Sequence, residues 1–301
     1  MNFPKSLTKG DTIAILSTAR KIRQDELAPA IEIIQSWGYK VQLGKTIGAS
    51  QNQFAGDDAL RTADLQWAMD DDSIAAIWCA RGGYGTVRIV DRLDFTKFTK
   101  HPKWLIGYSD ITVLHNHLCS LGVASIHGQM CLELDKRTQE SRDTIGGILF
   151  GNFNGITHSA VGENFRRNGE AKGILIGGNL SVLYAILGST SEVDFTDKIL
   201  IIEDLDEMLY HIDRMMQNLK RRGLLANIAG LIVGGMSDMR DNTVPFGQTA
   251  NEIIAAAVSA YSYPVCYNFP VGHVKDNRAL VMGAAVTLSV TEKEVQLTYS
   301  S

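Results

Sequence analysis

Proline is scarce in this chain, 6 of 301 residues, against about 5% in an average protein, which excludes a molecule built from Pro-rich linkers. Long hydrophobic runs are missing too. No stretch approaches the ~18 apolar residues that span a bilayer. Behind Lys5 and Lys9 comes only the short apolar run Thr12–Leu16; a secretory core needs about 7–15 apolar residues, so this run reads as a first strand. Charge of one sign is lacking as well. Lys and Arg number 29 against 33 Asp and Glu, a net charge of −4, so no basic excess points to nucleic acid or an anionic membrane. Cys79, Cys119, Cys131 and Cys266 lie far apart with no CxxC pair, and the expectation is thiols in a reducing cytoplasm. What remains is an ordinary globular composition, 45% hydrophobic and 21% charged, with length for about two domains. Its 28 glycines exceed the usual share of about 7%. Few prolines with many glycines suit an α/β protein with tight turns.

The first half alternates strand and helix. Apolar runs at Thr12–Leu16, Ile74–Cys79, 104–106 and 125–129 read as strands. Helical spacing covers 26–37 before Gly38, 59–69 with Leu60, Ala63, Leu65 and Met69 on one face, and 111–121. Continuous apolar strands separated by helices predict a parallel sheet covered on both faces, a Rossmann or flavodoxin-like domain over 1–140. From 135 to 168 the text turns polar and rich in Gly and Asn, so 141–168 is expected to be a linker and cleft edge. A smaller C-terminal domain, 169–301, restarts with strands at 173–176 and 198–202 and a helix striped by Met208, Leu209, Ile212, Met215, Met216 and Leu219. Lys220, Arg221 and Arg222 sit in its last turn and Gly223 ends it, as the helix dipole and the αL cap favour. A strand at 231–234, a helix at 252–261 and strands at 265–267, Ala285–Val290 and 295–299 complete a mixed α/β unit rich in β at its end. No internal repeat or low-complexity tract is present.

Ser109 carries the strongest local signal. It stands in Ile106-Gly107-Tyr108-Ser109-Asp110, a strand-to-helix turn of the kind that exposes a nucleophilic hydroxyl beside helix N-terminal N–H groups. Ile111 replaces the second Gly of G-x-S-x-G, so the motif is half met, and Ser109 or Asp110 as a simple helix cap stays open. A serine nucleophile needs a base and an oriented carboxylate. His115 and His117 are two apart on a helix, on nearly opposite faces, which does not suit a metal pair. His127 ends a strand and reads as structural or supporting, His211 as helical and polar, His101 and His158 as loop residues. His273 differs: it follows Gly272 in a loop and precedes Lys275, Asp276, Asn277 and Arg278. Glu203 is the carboxylate candidate. It ends the apolar run Ile199-Leu200-Ile201-Ile202, where a charge is costly without a partner, although Asp204, Asp206 and Glu207 beside it also suit a first helical turn. The loop Arg81-Gly82-Gly83-Tyr84-Gly85 lacks the spacing of a P-loop or a dinucleotide fingerprint but can present backbone N–H groups to an anion.

Together, Ala80-Arg81-Gly82-Gly83-Tyr84-Gly85, Ile106-Gly107-Tyr108-Ser109-Asp110, Gly177-Gly178-Asn179-Leu180, Ile202-Glu203-Asp204 and Gly272-His273 resemble the LD-carboxypeptidase family of serine peptidases, whose other branch is the microcin C immunity peptidases. The resemblance runs through nearly the whole chain. It implies a Ser109–His273–Glu203 triad, an oxyanion hole from the backbone N–H groups of Gly83 and Asp110, no metal, no cofactor, and a cytoplasmic homodimer. It implies removal of the terminal D-Ala from murein tetrapeptides, with Arg81, Gly82, Tyr84, Lys275 and Arg278 as candidate substrate contacts. Two alternatives stand beside this. One is a peptidase of the same fold acting on a nucleotide–peptide conjugate, which the presence of Phe165 but no Trp between 162 and 172 disfavours. The other is a two-domain small-ligand binding protein.

Overall fold

Short strands without polar alternation must be covered on both faces, and in the first half of the chain they pair side by side in parallel. A computed structural model describes residues 1–162 and 164–300. The chain divides into two units, Met1–Phe153 with Lys275–Val281, and Asn154–Val274 with Met282–Ser301.

In the first unit β1 (Thr12–Leu16), β2 (Lys40–Leu43), β3 (Ile74–Cys79), β4 (Trp104–Gly107) and β5 (Ser125–His127) lie in the order β2-β1-β3-β4-β5. Every pair is parallel. This is the flavodoxin-like order, whose ligands bind beyond the carboxyl ends of the strands near the switch between β1 and β3. The turns after β1, β3 and β4 therefore share one edge of the sheet.

One helix sits differently from its apolar pattern. In Asp58–Asp70 the buried residues are Arg61, Asp64, Leu65, Ala68 and Met69, while Ala63 is exposed. Two charged side chains are inside because neighbouring turns need them. The Asp64 carboxylate accepts the N–H groups of Lys45 and Thr46, each at 2.9 Å, and the Thr46 hydroxyl at 2.6 Å. A hydrophobic stripe cannot register a face that contains buried charge.

The expected linker is structured. The helix Gln139–Leu149 is capped by Thr138, whose hydroxyl accepts the Ser141 N–H at 3.1 Å, and it buries Ile145, Ile148 and Leu149. Its polar first turns hide that spacing, so the first unit runs to Phe153 and not to 140. From Asn154 the chain forms β6 (Ile156–Ser159), β7 (Gly169–Asn179), β8 (Lys198–Leu205), β9 (Gly230–Ser237) and β10 (Val265–Cys266). His158, expected in a loop, thus lies on a strand opposite Val295. The chain then gives β11 (Leu280–Met282) to the edge of the first sheet beside β5, and ends in β12 (Ala285–Val290) and β13 (Glu294–Tyr299).

The second sheet has the order β10-β9-β8-β7-β12-β13-β6. It is parallel from β10 to β7 and antiparallel from β7 to β6, the mixed α/β unit expected from the sequence. Ile199, Leu200, Ile201 and Ile202 of β8 have no exposed surface. The helix Leu209–Arg221 buries Ile212, Met215, Met216 and Leu219, and Gly223 takes φ +75° beyond its end. Among the described residues no helix is long and apolar enough to cross a membrane.

The Thr138 hydroxyl also donates to Asp276 Oδ1 at 2.8 Å. Thr138→Ala removes the cap and this bond and is expected to destabilise the protein by about 1 kcal/mol, read as a lower urea midpoint at unchanged slope.

Candidate functional site

Ser109 follows extended Tyr108 and has φ +60°, a left-handed conformation that costs a non-Gly residue of order 1–3 kcal/mol. A short turn, Ser109–Ile111, leads into the helix Thr112–Ser120. A Cβ at Gly107 would lie 2.7 Å from Ile111 Cγ1. Ile111 therefore fills the space that Gly107 leaves. Neither the turn nor the helix has a side-chain cap. The Asp110 carboxylate instead accepts the Thr86 N–H at 2.9 Å. The capping alternative falls, and a strained serine with an uncommitted role at the sheet's carboxyl edge remains.

His115 supports this turn from below. Its Nε2 lies 2.8 Å from the Gly107 carbonyl and its Nδ1 2.8 Å from the Ser125 hydroxyl. Since a carbonyl only accepts, Nε2–H donates to Gly107 and Nδ1 accepts from Ser125. Burial first, and His127 nearby second, push the imidazole pKa down to about 3, so it is neutral. His117 sits half-buried against Phe95, ring centroids 4.7 Å apart. Among the described residues no group of three or more His, Cys, Asp or Glu side chains is placed to hold a metal ion.

The Gly-rich loop packs on the Ser109 turn. A Cβ at Gly82 would lie 3.5 Å from Ser109 Cβ and 3.0 Å from Met130 Cε. Gly83 has φ +110°, and a Cβ there would meet Arg20 Cδ at 2.5 Å. Gly83 and Tyr84 face solvent, with the Tyr84 ring 6.3 Å from that of Phe54. Arg81 donates to the Lys21 carbonyl at 3.3 Å. Lys275 is exposed. Arg278 already donates from Nε and Nη2 to Asp276 Oδ2, at 3.0 and 2.9 Å, which weakens it as a ligand for another anion.

In the second unit, the register between β8 and β9 slips between Ile202 and Asp204, so Glu203 occupies an irregularity of the ladder with no exposed surface. Two glycines make room for it. A Cβ at Gly234 would lie 2.6 Å from the Val271 carbonyl and 3.2 Å from Glu203 Cβ, and one at Gly272, φ +96°, would lie 2.5 Å from Glu203 Oε2. His273 answers the buried charge twice, from ring Nδ1 at 2.7 Å and from its backbone N–H at 3.2 Å, both to Oε2. Donation from Nδ1–H leaves Nε2 with its lone pair, the tautomer a general base requires.

Asp204 does not belong to a helix, which begins only at Leu209. It accepts Asn179 Nδ2, Ser181 N–H and its neighbour Leu205 N–H, each at 2.9 Å. Burial, and then the Glu203 charge, push its carboxyl up to about 7 against the pull of these donors. Asn179 also caps the helix Leu180–Ile186, so the Gly177-Gly178-Asn179 text is a clamp on Asp204. Asp206 pairs with Arg240 at 2.9 Å and Glu207 with His211 at 2.6 Å. The sequence names Asn179, Asp204 and His115 without showing these supporting roles, and nothing in it singles out the buried Arg61. Only the polar pair after an apolar strand hinted at Asp204.

His115 makes a pH prediction. Unfolded, it binds a proton near 6.5; folded, only near 3. Acid therefore favours the unfolded chain, and the stability that this histidine contributes, fully present above 6.5, is lost as pH falls from 6.5 to about 3. The urea midpoint should fall over that range less steeply in His115→Gln than in wild type.

Comparison with known proteins matches the LD-carboxypeptidase N-terminal domain to residues 13–128 and the LD-carboxypeptidase C-terminal domain to residues 172–288. A protein of Bacillus subtilis (strain 168) named "Probable murein peptide carboxypeptidase" is 33% identical over 303 residues, 96% of this chain and 92% of that protein. The crystal structure of muramoyltetrapeptide carboxypeptidase from Oxalobacter formigenes is similar with a TM-score of 0.87 and 26% identity, over 96% of this chain and 99% of that one. MccF, solved with glutamyl sulfamoyl guanosine, is similar with a TM-score of 0.87 over 99% and 98% of the chains, at 20% identity, a likeness of fold alone.

Proposed function

Since the chain belongs to the LD-carboxypeptidase family, we propose that it is a serine carboxypeptidase that removes the terminal D-Ala from murein tetrapeptides. The observation that carries the proposal is the Glu203–His273 pair, a buried carboxylate 2.7 Å from Nδ1, which readies Nε2 as a base. In this reading Nε2 takes the Ser109 proton while Oγ attacks the scissile carbonyl carbon. The N–H groups of Gly83 and Asp110 hold the oxyanion. The imidazolium returns the proton to the departing amine of D-Ala, and the C–N bond breaks. Water, deprotonated by His273, then attacks the acyl-enzyme and frees Ser109. The proposal requires Nε2 to come within hydrogen-bond reach of Ser109 Oγ in the reacting complex.

The reading gives the substrate's carboxylates to Arg81 and Lys275, with Gly82 and Tyr84 lining their approach. It takes the enzyme as a cytoplasmic homodimer on family resemblance. Murein is favoured over a nucleotide conjugate by the lack of a Trp between 162 and 172; the aromatic there, Phe165, lies edge-on to the Tyr267 ring at 5.9 Å.

Mass spectrometry of wild type and Ser109→Ala, each incubated with a murein tetrapeptide ending in D-Ala, tests the reaction. Loss of one alanine with wild type only, and a fall in kcat on the order of 10⁴-fold or more in the variant, is expected. No loss with folded wild type would sink the murein substrate, and loss with both would sink the nucleophile. Gly272→Ala drives a methyl into Glu203 Oε2 at a positive φ. It should lower kcat at least ~10-fold, because small misplacements of a catalytic group cost up to about 10²-fold.

A further inference from the structure

The helix Asp58–Asp70 buries an arginine that the proposed chemistry does not use. Arg61 has no exposed surface and stands where three turns of the catalytic edge meet. Its Nη1 donates to the Thr18 carbonyl after β1 at 2.7 Å and to the Gly85 carbonyl after β3 at 3.1 Å. Its Nη2 pairs with Asp58, a carboxylate that Arg88 also holds, from Nε at 3.0 Å and Nη2 at 2.8 Å. Asp110 and Asp57 add negative charge nearby and Arg88 opposes it. The Phe54 ring closes one side, 4.8 Å from the guanidinium carbon.

These bonds act on the loop that needs them most. Gly82, Gly83 and Gly85 give the 81–85 segment no stiffness of its own. Its near end is held by the Arg20 N–H on the Gly82 carbonyl at 3.4 Å and by Arg81 on the Lys21 carbonyl at 3.3 Å, and its far end by Arg61 on the Gly85 carbonyl, the Asp110 carboxylate on the Thr86 N–H at 2.9 Å, and the Thr18 and Thr86 hydroxyls at 2.7 Å from each other. Asp110 follows Ser109 directly, so the nucleophile's turn and the glycine loop are tied through one residue.

We propose that Arg61 is a positioning residue of the proposed reaction: by holding Gly85 and Thr18 it aims the Gly83 N–H at the developing oxyanion. A surface anion-binding or interface role is excluded by its burial. The inference rests on the reading of Gly83 as an oxyanion donor. It predicts a defect in the transition state and not in substrate binding.

The test uses Arg61→Ala and Gly85→Ala. The second keeps the arginine but places a methyl 2.5 Å from its Nη1, so it pushes the loop without removing charge. For each, kcat and KM are measured on the murein tetrapeptide, together with the rate at which a serine-directed phosphonate labels Ser109. The expected result is kcat down about 10–100-fold with KM within twofold, labelling slowed in parallel, and partial recovery of kcat in Arg61→Ala with millimolar guanidinium that leaves wild type unaffected. Wild-type kcat in a folded Arg61→Ala, or a change confined to KM, overturns the proposal. If Arg61→Ala fails to fold by thermal melting, Gly85→Ala decides on the same readouts. A wild type that is labelled but does not cleave the tetrapeptide overturns only the substrate, and the labelling rates then decide Arg61. A wild type that is not labelled overturns both readings.

Discussion

A carboxylate with no exposed surface, directly after four buried apolar residues of a strand, must be surrounded by donors or give up its charge. Glu203 is in that position, and much of the second unit is arranged around it. The ladder between β8 and β9 slips beside it, Gly234 and Gly272 leave it the volume of a missing side chain each, and His273 meets it with both ring and backbone. Next to it Asp204 accepts from Asn179 and Ser181. The histidine is thereby fixed in tautomer and position by the element that most needs it.

The first unit meets a different constraint with the same economy. A positive φ at Ser109 persists only if the surroundings determine it more strongly than local preference opposes it. His115 holds the carbonyl of Gly107, Ile111 fills the gap that Gly107 leaves, and Asp110 anchors the neighbouring loop. Ser109 and His273, the proposed nucleophile and base, are thus each held within their own unit, the condition under which fixed dipoles act on a transition state without reorganising.

The parallel strands and the stripe of the helix Leu209–Arg221 were legible because both depend on apolar periodicity, which burial enforces directly. Ser109 and Glu203 were legible for a related reason: each interrupts a pattern, a glycine-led turn in one case and a charge on an apolar strand in the other. The proposed triad rests on five motifs taken in order, not on any one of them. Periodicity failed where polar groups are inside. Arg61 and Asp64 turned the expected face of their helix, and the polar opening of Gln139–Leu149 made a helix read as a linker. Asn179 and Asp204 are far apart in sequence, and a hydrogen bond between them leaves no local trace.

The return of Lys275–Val281 to the first unit sets an order on synthesis. Residues 1–153 leave the ribosome well before β11 exists, and at about 5–20 residues per second the interval lasts several seconds. During that time β5 is an open sheet edge, the kind of surface that invites pairing with other chains. The unit that carries Ser109 gains its last strand only after Glu203 and His273 have both been made, so a nascent chain arrested before residue 280 carries an unfinished first sheet. A stage in which β5 lacks its outer neighbour is therefore written into the connectivity.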